Sequence, residues 1–158
     1  MVAQVTAVEL PTEQDTLDFG RRIGALLEPG DLVLLAGPLG AGKTVLAKGI
    51  AAGLGVLGRV SSPTFIIARE HRPAPDGRGI PLVHVDAYRL GGLDEMDDLD
   101  LDTSLVDAAM VIEWGEGTGE RLSADHLLIR LTRREDDARL AELDPHGTWT
   151  DRLTALTR

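Results

Sequence analysis

The sequence has no cysteine, no asparagine and only 3% aromatic residues. Without cysteine, disulfides, thiolate catalysis and cysteine-based zinc sites are excluded, and a reducing compartment fits. Without asparagine there is no Asn-Lys-x-Asp element of the kind that recognises guanine. With so few aromatics, Leu, Val, Ile and Ala must fill the core. Long apolar runs are missing too: Leu32 to Ala36 is among the longest, and a membrane span needs about 20 residues. Met1 to Leu10 carries neither a basic segment nor an apolar stretch of the secretory type. The expectation is a soluble, cytoplasmic protein with no membrane association. Positive charge is short, with 16 Lys and Arg against 26 Asp and Glu and a formal net charge of -10. Such a surface repels phosphate backbones, so any part in nucleic-acid biology is expected to run through a partner protein.

The 158 residues suit one domain spanning 1–158. No internal repeat or low-complexity tract divides them. Thr12 with Asp15 three positions on forms a capping-box variant. It opens a helix in which Leu17, Phe19, Ile23, Leu26 and Leu27 share one apolar flank, and Pro29-Gly30-Asp31 ends it. Leu32 to Ala36, apolar throughout and bounded by turn residues, reads as a strand buried on both faces. A helix from Lys43 to about Gly53 follows. Arg59 to Glu70 is β-rich, and Arg72 to Gly79 reads as a surface loop between two strands. Pro81 to Asp86 and Ala108 to Glu113 are short apolar strands. Asp94 to Leu101 reads as a short acidic helix, His126 to Thr132 with Arg139 to Leu143 as a late hairpin, and Trp149 to Leu156 as a last helix. Strands alternating with helices predict a three-layer α/β/α architecture, P-loop NTPase-like, with a mostly parallel sheet, helices on both faces and a C-terminal antiparallel hairpin.

Between that first buried strand and its helix lies Gly37-Pro38-Leu39-Gly40-Ala41-Gly42-Lys43-Thr44, which matches G-x-x-x-x-G-K-[ST] in full. Gly37 lets the chain turn off the strand. Gly40 and Gly42 permit positive φ and, having no Cβ, let backbone N–H groups of residues such as Leu39, Ala41 and Val45 approach phosphate oxygens. Those groups sit at a helix N-terminus, where the dipole also favours an anion. Lys43 reaches β- and γ-phosphates, and the Thr44 hydroxyl is placed for Mg²⁺. The alternative is a glycine-rich turn with no ligand. The pattern arises by chance in roughly one chain in a few hundred, and here it also stands in the strand-to-helix context that the chemistry needs.

Phosphoryl chemistry needs a further acid near the metal, delivered by a neighbouring strand end. Asp86 closes one apolar strand and Glu113 another, and in a parallel sheet both emerge at the edge carrying the phosphate loop. One can hold Mg²⁺ directly or through water, while the other orients the attacking water or the first acid. The bland reading of either is an N-cap or a solvated strand end. His84 interrupts the run before Asp86 and reads as a buried histidine bonded to neighbouring backbone. Thr64, in Ser61-Ser62-Pro63-Thr64-Phe65, falls where a γ-phosphate-sensing loop would lie, and equally reads as a turn into a strand. Asp94 to Asp102 holds six acids in nine residues. An EF-hand register fails there, with Thr103 where Gly is needed and Ala109 where Glu is needed, so a solvated helix face is expected. Trp114 packs over the site, at a partner surface or in the core.

Taken together, Gly37 to Thr44 in the form G-x-L-G-A-G-K-T, Ser62-Pro63-Thr64-Phe65, His84-Val85-Asp86-Ala87-Tyr88-Arg89-Leu90 and Glu113-Trp114 resemble the bacterial TsaE (YjeE) family. The resemblance runs from about Leu10 to Gly119 and is loose after Arg121. It implies an ATPase of tRNA threonylcarbamoyladenosine biosynthesis that hydrolyses ATP slowly, mainly in complex with TsaD and TsaB proteins, and meets tRNA only through that complex. By position, the resemblance makes Thr44 and Glu113 the magnesium ligands and Asp86 the Walker-B-like acid. It also makes Ser62 to Phe65 a switch-like loop, and Glu13, within Leu10-Pro11-Thr12-Glu13, a nucleotide contact near the adenine. ATP or ADP with Mg²⁺ are the implied cofactors. Three readings compete with this: a small-molecule kinase, for which Arg72 and Arg78 are the only plausible lid arginines; a regulatory GTPase, disfavoured without asparagine; and an adaptor that binds nucleotide only to hold a shape.

Overall fold

The computed structural model describes residues 6–38, 41–58, 68–86, 105–113, 123–136 and 138–157. Its elements are β1 (Thr6–Leu10), α1 (Glu13–Leu26), β2 (Leu32–Ala36), α2 (Lys43–Leu54), β3 (Ala68–His71), β4 (Leu82–Asp86), β5 (Ala109–Glu113), β6 (His126–Arg133), β7 (Arg139–Pro145) and α3 (Trp149–Thr157). The strands form one sheet in the order β1-β7-β6-β2-β5-β4-β3.

Only the interior of that sheet is parallel. β6, β2, β5 and β4 run together, whereas β3 joins β4, β7 joins β6 and β1 joins β7 antiparallel. The sheet is therefore mixed rather than mostly parallel. The reason lies in the connections. Residues 72–81 between β3 and β4 are too few for a parallel crossover of a dozen or more residues, so those strands must form a hairpin. The expected hairpin of β6 and β7 is present, and it then pairs with β1, a strand the sequence reading did not anticipate. Thr6–Leu10 is short and only half-buried, so no apolar run announces it.

Pleat parity sorts the core. Leu82, Ala109, Val111, Val33, Leu35, Leu127 and Ile129 face α1, α2 and α3. Leu32, Leu34, Val83, Val85, Met110 and Ile112 face the other side with Leu105 and Ala108. All three described helices thus cover one face. The acidic segment Asp94 to Leu101 lies outside the described residues. Fully burying a side chain such as Ile23 or Ile50, both at 0% exposure, contributes roughly 1.5–3 kcal/mol.

The capping box on α1 forms as expected: the Asp15 N–H donates to the Thr12 hydroxyl at 3.2 Å, and the Thr12 N–H donates to the Asp15 carboxylate at 2.9 Å. The expected flank is buried at Phe19, Ile23 and Leu27, but the buried face of the helix extends beyond it. Thr16, Phe19, Gly20, Ile23 and Gly24 are buried, while Leu17 and Leu26 are only partly so. Two glycines take the centre of the stripe because α1 and α2 meet backbone to backbone. A Cβ on Gly24 would lie 2.2 Å from the Ile50 carbonyl oxygen, and one on Gly53 would lie 2.1 Å from that of Arg21. Gly20 and Gly49 face each other in the same contact. Gly-x-x-x-Gly spacing on both helices permits this approach, since any side chain would hold the backbones apart. It brings the N-terminal ends of the two helices side by side. Among the described residues no helix is long and apolar enough to cross a membrane.

Candidate functional site

The strand β2, the loop after it and the helix α2 form the strand–turn–helix that the motif requires. Gly37 has φ 139°, and a Cβ there would sit 2.3 Å from the Leu131 carbonyl oxygen, so β6 presses against the loop and admits only glycine. Gly42 is the N-cap of α2 at φ 102°, in the left-handed region. As glycine it offers no side-chain acceptor to the first turn of α2, the kind of helix start that can receive an anion. Ala41 is buried, and its N–H donates to the Pro38 carbonyl at 3.1 Å. Leu39 and Gly40 lie outside the described residues.

Lys43 is buried at 5% exposure. Its ammonium donates to the carbonyls of Gly37 at 2.6 Å and Pro38 at 2.9 Å, so the lysine folds back over its own loop. Burial pushes its pKa below the ordinary value, while the negative charges of Glu113 and Asp86 oppose that shift. The two acids are register partners across β4 and β5. By pleat parity they share the sheet face on which α2 lies. Both are buried, Asp86 at 6% and Glu113 at 4%, which rules out the solvated strand end.

Glu113 bridges two elements. One of its oxygens accepts the Thr44 hydroxyl at 3.3 Å, and the other lies 2.6 Å from Nε2 of His84. The expectation that His84 bonds to backbone is thereby corrected: its partner is the carboxylate on the neighbouring strand. In sequence, His84 is only a polar residue in an apolar run. Its alignment opposite Val111, one pleat below Glu113, appears only in the register of β4 and β5.

Beside Gly42 opens a cavity of about 250 Å³ lined by Pro11, Thr12, Glu13, Thr16, Gly42, Val45 and Arg139. Glu13 and Val45, far apart in sequence, meet here because the glycine contact aligns α1 with α2. Arg139 was not singled out from sequence. It starts β7 opposite Leu10 of β1, and that pairing carries it to the cavity. Nothing near Arg139 in the sequence signals this placement. Thr64, Trp114 and the segment Ala87 to Leu90 lie outside the described residues.

The donors fit magnesium held jointly with phosphate. Thr44, Asp86 and Glu113 offer hard oxygen ligands, and among the described residues no group of three or more His, Cys, Asp or Glu forms a complete cage. Mg²⁺ is commonly held by one or two carboxylates together with substrate phosphates. Arg78, one of the two lid candidates, is committed elsewhere. It donates to the carbonyls of Gly24 at 3.0 Å and Leu27, and pairs with Glu28 at 2.9 Å, which fastens it to the end of α1.

Fold and site define an α/β protein in which a Gly-Lys-Thr loop and two buried strand-end carboxylates converge on one edge of a parallel sheet core. Comparison with known proteins narrows this class. The sequence model of the family described as "Threonylcarbamoyl adenosine biosynthesis protein TsaE" matches residues 10–141. The chain belongs to the TsaE family. It is 60% identical over 121 residues to a tRNA threonylcarbamoyladenosine biosynthesis protein TsaE of Streptomyces coelicolor, covering 76% of this chain and 80% of the relative. It is 55% identical over 148 residues to the protein of the same name from Mycobacterium tuberculosis, covering 89% and 84%. A crystal structure of YdiB from Bacillus subtilis superposes with a TM-score of 0.76 at 30% identity, covering 98% of this chain and 94% of that one.

Proposed function

We propose that the chain binds ATP with Mg²⁺ and hydrolyses it to ADP and phosphate, slowly and mainly in complex with TsaD and TsaB proteins, during threonylcarbamoyladenosine modification of tRNA. The observation that carries this reading is the convergence of Lys43, Thr44, Asp86 and Glu113 beside a cavity lined by Glu13, Val45 and Arg139. In this reading the amides of residues 39–45 cradle the polyphosphate, and Lys43 leaves the Gly37 and Pro38 carbonyls for phosphate oxygens. Thr44 and Glu113 would hold the cation, which when bound would neutralise charge on the phosphates. Asp86 orients the attacking water, whose oxygen bonds to the γ-phosphorus as the bond to the ADP oxygen breaks, its proton passing to the phosphate formed and on to solvent. Thr64 is the candidate contact to the γ-phosphate. The nucleobase occupies the cavity between the α1 and α2 N-termini. Family membership supports the tRNA pathway, and the net charge of -10 supports contact with tRNA only through the complex, in the cytoplasm.

Phosphate release measured with and without TsaB and TsaD tests this. The expected result is stimulation by the partners that disappears in Lys43→Ala. Stimulation surviving in that variant would remove the phosphate loop from the reaction. Phosphate appearing on a small metabolite would instead favour a kinase, a reading weakened by the engagement of Arg78 with α1. ATP bound without turnover in any complex would leave a shape-holding adaptor.

A further inference from the structure

We infer that His84 is a positioning residue that fixes the orientation of the Glu113 carboxylate toward Thr44, and so sets how readily the site takes up magnesium. The inference rests on the proposed magnesium–nucleotide reading and adds to it a residue with no assigned role.

Three observations carry it. First, His84 is 2% exposed and lies in an interior strand between Val83 and Val85. Burying an imidazole there is costly unless its polar atoms are satisfied, and a leucine of similar size would pack without that cost. Second, its Nε2 lies 2.6 Å from one oxygen of Glu113, while the other oxygen faces the Thr44 hydroxyl at 3.3 Å. The two contacts hold opposite edges of one carboxylate. A carboxylate held at one oxygen only swings about its Cγ–Cδ bond, whereas one held at both has a defined plane. Third, the register makes the contact rigid: His84 and Asp86 project from the same face of β4, and Val111 and Glu113 from the same face of β5. Histidine at this position thus reaches the acid one pleat further along the adjacent strand, which a shorter polar side chain does not. Partners of this kind behind a metal ligand typically change metal affinity by 10- to 100-fold when removed.

The test uses ADP binding by calorimetry across a magnesium titration, with metal-free ADP binding and thermal unfolding measured on the same samples. Three variants are compared. His84→Gln keeps an N–H donor at about the right reach. His84→Leu and His84→Asn lose it, the first with an apolar and the second with a polar side chain. The expected result is that Leu and Asn raise the magnesium midpoint about tenfold or more, that Gln stays within about threefold of wild type, and that metal-free ADP binding is unchanged in all three. If His84→Leu does not fold, Asn against Gln carries the comparison. In a Glu113→Ala background, His84→Leu should add nothing further.

Equal magnesium midpoints in folded His84→Asn and His84→Gln, or additive effects with Glu113→Ala, would reduce His84 to a packing residue and overturn the inference. Absence of any magnesium-dependent ADP binding in the wild-type protein would instead overturn the nucleotide reading on which the inference stands.

Discussion

The two ends of the parallel strands solve opposite problems with similar residues. At the amino end, Asp31 precedes β2 and takes both guanidinium nitrogens of Arg152 from α3, at 2.8 and 2.7 Å, together with the Glu28 N–H at 2.6 Å. The guanidinium lies 3.9 Å over the buried Trp149 ring and also reaches the Leu26 carbonyl. The charges there cancel within a closed set of contacts that pins α3 to the sheet. At the carboxyl end, Asp86 and Glu113 are buried together with one ammonium, which is held by its own loop carbonyls. Among the described residues, two acids and one lysine meet there, and the neighbouring helix N-terminus is capped by a glycine without a side chain. One end is a closed set of structural contacts, and the other is the end at which the proposed magnesium–nucleotide would be held. A buried acid therefore says nothing about function until its partners are known.

Substitutions at each end should separate accordingly. The largest effect is expected from Thr44→Ala, which should lower magnesium-dependent turnover on the order of a hundredfold, the usual scale for losing one transition-state contact. Its melting temperature should hardly move, and a cooperative loss of stability equal to that of the amino-end variants would erase the distinction between the two ends. Gly53→Ala should act on both properties. Its new methyl meets backbone atoms at 2.1 Å, which no rotamer change relieves, so about 2–3 kcal/mol of stability should be lost. Nucleotide affinity should fall with it as α1 moves off α2. Unchanged affinity in a destabilised Gly53→Ala protein would show that the cavity does not depend on that helix contact.

Asp31→Ala should cost about 2 kcal/mol, the scale of charged hydrogen bonds, seen as a drop of about 4–8 °C in melting temperature. Nucleotide affinity should stay the same, and a matching loss of affinity would mean that the two ends are coupled. The smallest effect concerns pH. Burial holds the Lys43 ammonium below its ordinary 10.5. A lysine harder to protonate when folded costs stability while charged, and that cost fades as the pH rises through the lowered folded value toward the unfolded one. Relative to Lys43→Met, the wild-type protein should therefore gain stability as the pH rises toward the ordinary lysine value of 10.5. Urea midpoints of the two proteins at neutral and at alkaline pH measure this, and a parallel response would show that burial of Lys43 carries no such cost.

Much of the site was legible in the chain because its chemistry is local. The glycine spacing, Lys43 and Thr44 occupy consecutive positions, and an acid closing an apolar strand is recognisable wherever the strand lies. Asp86 and Glu113 could be named for that reason, and Glu13 followed from the family resemblance. Arg139 and the true partner of His84 could not. Both depend on which strand lies beside which, and nothing near either residue encodes its neighbour. The glycine contact of α1 with α2 is hidden from an apolar-flank pattern, because close backbone contact leaves no side chain to mark it.

What sequence alone determined is the set of short-range devices: the capping box at Thr12, the phosphate-loop pattern, the buried strands and the acids that end them. These depend on residues within a turn or two of one another, so their physics is complete in the local chain. Tertiary structure alone decided the antiparallel wings of the sheet, the placing of all three described helices on one face and the cavity between α1, α2 and β7. It also decided the clamp of His84 and Thr44 on Glu113. Each of these arises from strand register and backbone approach between distant segments, quantities that only the assembled fold possesses.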